Sequence, residues 1–158
     1  MPDSNTDPHD ILAVAQQRAQ AEQLPYAGAV TPAEAFALLQ ASPAVKLVDV
    51  RTDAERDWVG RVAIDPQQHL AVQWSLYPGG TPNPDFLQQL QQLANPDEVL
   101  LFLCRSAARS KNAARLATEN GYQYCFDILE GFEGPKDGAG HRKTVNGWCH
   151  ADLPWMGA

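Results

Sequence analysis

Residues 98–121 read EVLLFLCRSAARSKNAARLATENG, and this stretch decides the fold of the chain. Its first six residues are mostly apolar and too few for a typical helix, so they predict a buried parallel strand. A helix is predicted over 109–120, because small apolar residues recur there at helical spacing and Asn120-Gly121 is a common helix end. Cys104 and a short run of small and basic residues join the two. The stretch therefore predicts a strand, a loop and a helix in succession.

Helical and strand patterns alternate through the rest of the chain. Such alternation is typical of an α/β domain whose central, mostly parallel sheet carries helices on both faces. Cap residues followed by proline mark several of the helix starts. The predicted helices lie near 8–23, 32–41 and 84–94, with a helical turn near 53–58 capped by Thr52 or Asp53, and strands near 45–50 and 122–129.

Other segments carry weaker patterns. Residues 62–64 and 69–72 fit short strands, and residues 77–82 fit a loop because of their proline and glycine content. Beyond Gly131 the chain lacks periodicity, which predicts an irregular tail held by Trp148 and Trp155. We therefore expect an N-terminal extension over 1–29, with a helix on the domain surface, and a domain over 30–158.

Composition and charge exclude several classes of protein. The chain has 158 residues, a net charge of −7 and a pI near 4.9. An acidic chain does not favour nucleic acid or an anionic membrane surface as its main partner. No apolar run is long enough to predict a membrane span, and the first 25 residues show no secretory signal. With three cysteines and no paired spacing, the sequence predicts a cytoplasmic protein with reduced thiols.

The loop after the central strand has the composition of an anion site around a thiol. Small residues after Cys104 let the chain curl, so that backbone N–H groups at a helix N-terminus point inward. Arg105 and Arg109 add positive charge to this loop. Nearby cations and the helix dipole favour a thiolate, so we expect Cys104 to be the reactive cysteine.

The sequence resembles the single-domain rhodaneses, a family of sulfurtransferases. Residues 104–109, CRSAAR, match the family's six-residue loop of a cysteine, a basic residue and a closing arginine or threonine. Residues 47–51, LVDVR, with Glu55 after them, and residues 129–132, LEGF, are similar to the flanking motifs of the family. The tail is similar to that of bacterial members at 145–148 and 153–155. Two departures are Ala107, where glycine is frequent, and Arg61, where the family has histidine.

This resemblance implies a rhodanese-like fold and sulfur transfer through a persulfide on Cys104. It implies a small anionic sulfur donor such as thiosulfate, and a thiol or cyanide as acceptor; a protein acceptor is not identified by the sequence. No metal or organic cofactor is implied. The residues expected to bind the substrate follow the cysteine in the loop: Arg105, Ser106, Ala107, Ala108, Arg109 and Ser110.

Two other functions stay open at this point. The first is a domain that carries or senses sulfur, or binds a partner, without appreciable turnover. A cysteine phosphatase or arsenate reductase needs a loop one residue longer, with arginine six positions after the cysteine. Here Arg109 stands five positions after Cys104, and Ser110 stands at the sixth.

Several further residues have simpler interpretations. Cys125 lies between aromatic residues in a predicted strand and is interpreted as a core cysteine. Cys149 beside His150, with His141 nearby, fits no zinc spacing. Asp49 and Arg51 are interpreted as an ion pair that supports the loop. Packing is the default role of the tryptophans Trp58, Trp74 and Trp155.

Overall fold

Helices and strands alternate through residues 7–157, which are the residues that the computed structural model describes. Within that range, the helices are α1 (Pro8–Glu22), α2 (Pro32–Ala41), α3 (Asp53–Trp58), α4 (Phe86–Leu93) and α5 (Ala108–Glu119). The strands are β1 (Gly28–Val30), β2 (Lys46–Asp49), β3 (Arg61–Val62), β4 (His69–Ala71), β5 (Ser75–Leu76), β6 (Thr81–Pro82), β7 (Val99–Leu103), β8 (Tyr124–Ile128) and β9 (Trp155–Met156).

A five-stranded parallel sheet in the order β1-β8-β7-β2-β4 forms the centre of the protein. The apolar run predicted as a central strand is β7, where Leu101 lies opposite both Leu47 of β2 and Phe126 of β8. Helices α1 and α2 bury apolar residues on one face of the sheet, and α4 and α5 bury theirs on the other. The predicted α/β class with helices on both faces is therefore confirmed.

The helix starts follow their predicted caps in three places. Asp7 accepts a hydrogen bond from the backbone of His9 at the start of α1. The capping box of Thr31 and Glu34 is formed at α2, and Thr52 caps α3 in the same way. Side-chain caps satisfy backbone N–H groups that a helix end leaves without a partner.

The N-terminal part of the chain is more deeply integrated than expected. Strand β1 was not predicted, because three residues with one glycine carry no clear strand pattern. Helix α1 lies on the domain surface, as expected, and its thin apolar stripe buries Ile11 and Ala15 in the core. The helix approaches β1 at Gly28, where a Cβ atom would lie 2.4 Å from the carbonyl oxygen of Ala15.

Three other predictions need correction. Residues 77–82 are not a simple loop, since β6 pairs with β5 in a hairpin. Helix α4 begins at Phe86 rather than at residue 84, because the Asn83 side chain accepts from the backbone of Asp85 and forms a turn first. The tail contains β9, which pairs with β3, and Trp155 stays 38% exposed while Trp148 is fully buried.

The expected division into an extension over 1–29 and a domain over 30–158 stays a prediction, and residues 1–6 and 158 lie outside the described range. Within residues 7–157, no helix has both the length and the hydrophobicity that a membrane span requires.

Substitution of Gly28 should separate α1 from the sheet. In Gly28→Ala the added methyl group meets the backbone of Ala15, which cannot move away as a flexible side chain would. We expect a loss of about 1–3 kcal/mol in the free energy of unfolding, measured by urea denaturation. Gly138→Ala is the control, because its Cβ meets nothing within 4 Å and the change should stay within about 0.5 kcal/mol. Equal stability of the two variants would contradict this account of the contact.

Candidate active site

The Cys104 loop lies at the carboxyl end of the central strand, directly before α5. The Cys104 side chain is only 1% exposed. Within residues 7–157, the backbone N–H groups of residues 105–107 donate no hydrogen bond to the protein. These three donors lie between Cys104 and the first turn of α5, where unpartnered backbone N–H groups are what an anion site requires.

Backbone hydrogen bonds hold this loop against the turn that follows β8. The carbonyl of Cys104 accepts from Phe132 at 2.8 Å, and the carbonyl of Arg105 accepts from Glu133 at 3.0 Å and from Gly134 at 3.1 Å. The approach requires glycine at 131, where a Cβ atom would lie 2.5 Å from the Arg105 oxygen and φ is +74°. With its carbonyls bound on one side, the loop leaves its N–H groups free for a ligand.

Ala107 adopts the left-handed conformation, with φ 74° and ψ 9°. This is the position where the related loops often have glycine, which adopts positive φ without the Cβ clash. Alanine there costs about 1–2 kcal/mol. The loop is thus strained at the residue that caps α5.

Arg109, one of the two loop arginines expected to add positive charge, is paired with a carboxylate. Its guanidinium donates to both carboxylate oxygens of Glu55, at 2.6 and 2.8 Å. Burial disfavours the Glu55 carboxylate, but the hydrogen bonds and charge of Arg109 outweigh it and lower the pKa of Glu55 to about 2. The pair joins α5 to α3 beside the loop.

A pocket of about 400 Å³ opens beside the loop. Its apolar wall includes Trp58 and Tyr77, whose rings meet edge to face with centroids 5.4 Å apart. Both side chains are largely exposed, and the exposed Arg105 adds positive charge to the lining. The lining residues are Thr52, Ala54, Glu55, Trp58, Val59, Ser75, Leu76, Tyr77, Gly80, Arg105 and Arg109.

The predicted ion pair of Asp49 and Arg51 is confirmed, and both side chains are fully buried. Two hydrogen bonds of 3.0 and 2.9 Å join them. Burial opposes ionisation of Asp49, but the charge of Arg51 and a hydrogen bond from His69 prevail and lower its pKa. Arg51 also lies 4.3 Å from the centre of the Phe132 ring, so the pair supports the turn that holds the loop.

The other cysteines have different surroundings. Cys125 is fully buried in the core, as predicted, and burial raises its pKa to about 11. Burial also raises the pKa of the half-buried Cys149 to about 11. No group of three or more metal-ligating residues occurs within residues 7–157. Arg61, the residue in place of the family's histidine, pairs with Asp57 on the surface.

The structure brings the predicted loop residues together and adds Asp127 to them. Ser110 is fully buried, and its hydroxyl lies 3.3 Å from the Cys104 sulfur. Behind it lies Asp127 of β8, which was not singled out. A lone acidic residue within the apolar strand 124–128 was the signal that could have identified it.

Comparisons with known proteins agree with this arrangement. Residues 27–158 match the family model described as STR4 middle domain. A crystal structure of Rv0390 from M. tuberculosis is 39% identical, with a TM-score of 0.76, over 84% of this chain and 99% of that protein. A Rickettsia rickettsii protein described as an uncharacterized RP600 homolog is 33% identical over 126 residues, which are 78% of this chain and 92% of that protein. The thiosulfate sulfurtransferase GlpE of Haemophilus influenzae is 29% identical over 98 residues, 60% of this chain and 79% of that protein.

The site consists of a cysteine loop held between a parallel strand and a helix, and this arrangement is that of the rhodanese class of proteins. The chain belongs to the rhodanese family, within the group that the STR4 middle domain model describes. The resemblance drawn from its motifs is thereby confirmed.

The strain at Ala107 predicts an unusual response to glycine. Ala107→Gly relieves the left-handed strain but loses a buried methyl group and adds freedom to the unfolded chain, so we expect stability within about 0.5 kcal/mol of the parent. Ala117 is also buried and lies within α5. Ala117→Gly should lower the free energy of unfolding by about 1.5–2 kcal/mol, because no relief of strain offsets the lost methyl group and the added freedom of the unfolded chain. Urea denaturation of both variants compares them, and equal losses would show that Ala107 is not strained.

Removal of the Glu55 charge should strengthen anion binding. Glu55→Gln can keep the capping box, while the full charge of Arg109 becomes available at the pocket. A unit charge about 4 Å away in a water-like medium contributes about 1 kcal/mol, so the Kd of thiosulfate, used as a probe anion, should fall about fivefold. Glu119→Gln, which removes a carboxylate from an exposed pair at the end of α5, is the control. An unchanged or higher Kd in folded Glu55→Gln would refute the idea that Glu55 masks Arg109.

Proposed function

We propose that this protein is a sulfurtransferase that takes a sulfane sulfur from a small anionic donor, such as thiosulfate, onto Cys104. The observation that carries the proposal is the run of backbone N–H groups at residues 105–107, without a partner in the described part of the chain, between Cys104 and the start of α5. Such donors stabilise both an anionic donor and a sulfur anion. The similarity to a protein named as a thiosulfate sulfurtransferase supports the same chemistry.

The reaction has two displacement steps. The Cys104 thiolate attacks the terminal sulfur of thiosulfate, the sulfur–sulfur bond of the donor breaks, and sulfite leaves with the bonding electron pair. A thiol or cyanide then attacks the outer sulfur of the persulfide and regenerates the thiolate. Because Cys104 is nearly inaccessible, the donor must present a sulfur atom at its end rather than within a bulky group.

The loop residues have distinct roles in this mechanism. The backbone N–H groups of Arg105, Ser106 and Ala107 hold the donor and the persulfide, together with the first turn of α5 at Ala108. Arg105 attracts the anion, and Arg109 positions α3 through Glu55 while adding part of its charge. The Ser110 hydroxyl contacts the cysteine sulfur itself.

A sulfur carrier or binding module is the second candidate function. The exposed pair of Trp58 and Tyr77 beside the loop favours it, since a partner can cover such a surface. A carrier and an enzyme share the persulfide but differ in turnover. The phosphatase alternative is disfavoured by the loop spacing, and hydrolysis of an aryl phosphate would support it.

Substitution of the cysteine provides the direct test. Incubation of the purified protein with thiosulfate should add one sulfur atom, about 32 Da, to the intact mass, and Cys104→Ser should abolish both this gain and thiosulfate:cyanide transfer. Cys125→Ser and Cys149→Ser are the controls and should keep most of the activity, because burial raises the pKa of both thiols to about 11. A mass gain without multiple turnover would favour the carrier. Substantial turnover by Cys104→Ser would refute the proposal.

A further inference from the structure

A chain of hydrogen bonds runs from the proposed nucleophile into the core. The Cys104 sulfur donates to the Ser110 hydroxyl at 3.3 Å, and that hydroxyl donates to Oδ1 of Asp127 at 2.5 Å. None of the three side chains is more than 1% exposed. The cysteine is thus connected to a carboxyl group on the neighbouring strand β8, away from bulk water.

The surroundings of Asp127 disfavour a carboxylate. Its second oxygen, Oδ2, has no hydrogen-bond partner among residues 7–157. Burial of a carboxylate oxygen without a hydrogen-bond partner costs free energy. Burial of the carbonyl oxygen of a protonated carboxyl group costs less, because that oxygen carries no formal charge. Burial raises the pKa of Asp127 to about 7, and the Ser110 hydrogen bond and the Lys111 charge oppose this only in part. The carboxyl group can therefore hold a proton near neutral pH.

Few other titratable groups lie near the Cys104–Ser110–Asp127 hydrogen bonds. Helix α5 contributes the exposed Lys111 near Asp127, and Arg109 near the cysteine. Tyr26, which precedes β1, is buried near Asp127, and its pKa is raised to about 12 by burial and by the Asp127 charge. Cys125 lies two residues away on β8 itself, with its pKa raised to about 11. Neither Tyr26 nor Cys125 therefore carries a charge at neutral pH.

We propose that Asp127, acting through Ser110, accepts the proton of the Cys104 thiol and keeps it while the sulfur is an anion. The idea deepens the proposed function, on which it rests for its catalytic meaning. The thiol proton moves to the Ser110 oxygen as the proton of that hydroxyl moves to Oδ1 of Asp127. Sulfur retains its electron pair, Ser110 stays a neutral hydroxyl, and no other bond changes. The product is a thiolate that accepts a hydrogen bond from Ser110, with a neutral Asp127 behind it.

This arrangement explains why a carboxyl group lies so near a sulfur anion. An ionised Asp127 would repel the thiolate and the anionic donor, while a protonated one supports the hydrogen bond from Ser110. In this scheme the two groups share one proton. Asp127 is a positioning residue in this scheme, and Ser110 is the group that touches the reacting sulfur.

The first experiment measures the coupling without any turnover. The carboxyl ¹³C NMR signal of Asp127 is titrated with pH in the full chain and in Cys104→Ser. Because the hydroxyl that replaces the thiol at position 104 forms no anion, we expect the midpoint of the Asp127 titration to fall by at least about one pH unit in Cys104→Ser. Superimposable titrations would overturn the proposal, and this result does not depend on whether sulfur transfer occurs.

The second experiment separates this role from a structural one. In the parent, kcat/KM for thiosulfate should rise with pH and then fall as Asp127 loses its proton. Asp127→Asn, whose amide does not ionise, should lose the alkaline fall, while Asp97→Asn, an exposed control, should keep the parent profile. A profile of unchanged shape in Asp127→Asn would overturn the proposal.

Variants of Ser110 complete the test. Ser110→Ala should lower kcat/KM about tenfold, as expected for loss of a hydrogen bond to a charged group, and Ser110→Thr should restore most of it. Equal loss in both would contradict a role for the hydroxyl. Absence of the persulfide mass together with a shifted Asp127 midpoint would refute the sulfurtransferase function and leave the proton-sharing pair intact.

Discussion

The backbone contact between the Cys104 loop and the turn after β8 is the constraint on which the site depends. Carbonyl groups of residues 104 and 105 accept three hydrogen bonds from residues 132–134, and Gly131 permits the close approach. Among residues 7–157, the N–H groups of residues 105–107 donate no hydrogen bond to the protein, so they are available to a ligand. The tail adds a second layer, because Trp148 donates its backbone N–H to Gly131 and its side chain is fully buried. The irregular segment that follows β8 therefore determines how rigidly the Cys104 loop is held.

A buried ion pair carries this constraint across the sheet. Arg51 joins Asp49 on β2 to the ring of Phe132 in the turn, so two motifs distant in sequence meet below the loop. Loss of one partner of such a pair typically costs 3–5 kcal/mol, because the other charge stays buried without compensation. The pair is weak evidence for net stability, yet it fixes the relative position of β2 and the turn. The Asp49–Arg51 pair therefore acts on the site through geometry.

The sequence was most informative where one local pattern decides the structure. The run 98–103, the helix caps and the loop spacing each depend on neighbouring residues, and the parallel sheet and the loop residues followed from them. Strand β1 and the hairpin of β5 and β6 were missed, because two or three residues become strands only through distant partners. The pairing of Arg109 with Glu55 was missed for the same reason, since 54 positions separate the two residues.

The positive charge at the site is smaller than the loop composition indicates. Groups other than the arginine side chains must therefore contribute to recognition of an anion. Glu55 neutralises much of Arg109, the chain carries a net charge of −7, and only Arg105 of the two loop arginines lies exposed. Long-range attraction of an anion is therefore weak. In the function proposed here, binding rests on short-range donation from backbone N–H groups whose positions are set by the loop length. A ring of fixed donors selects by size and shape as well as by charge. The one-residue difference from the phosphatase loop is then a difference in the anion that fits, and Ala107, in its strained left-handed conformation, sets the curvature of that ring.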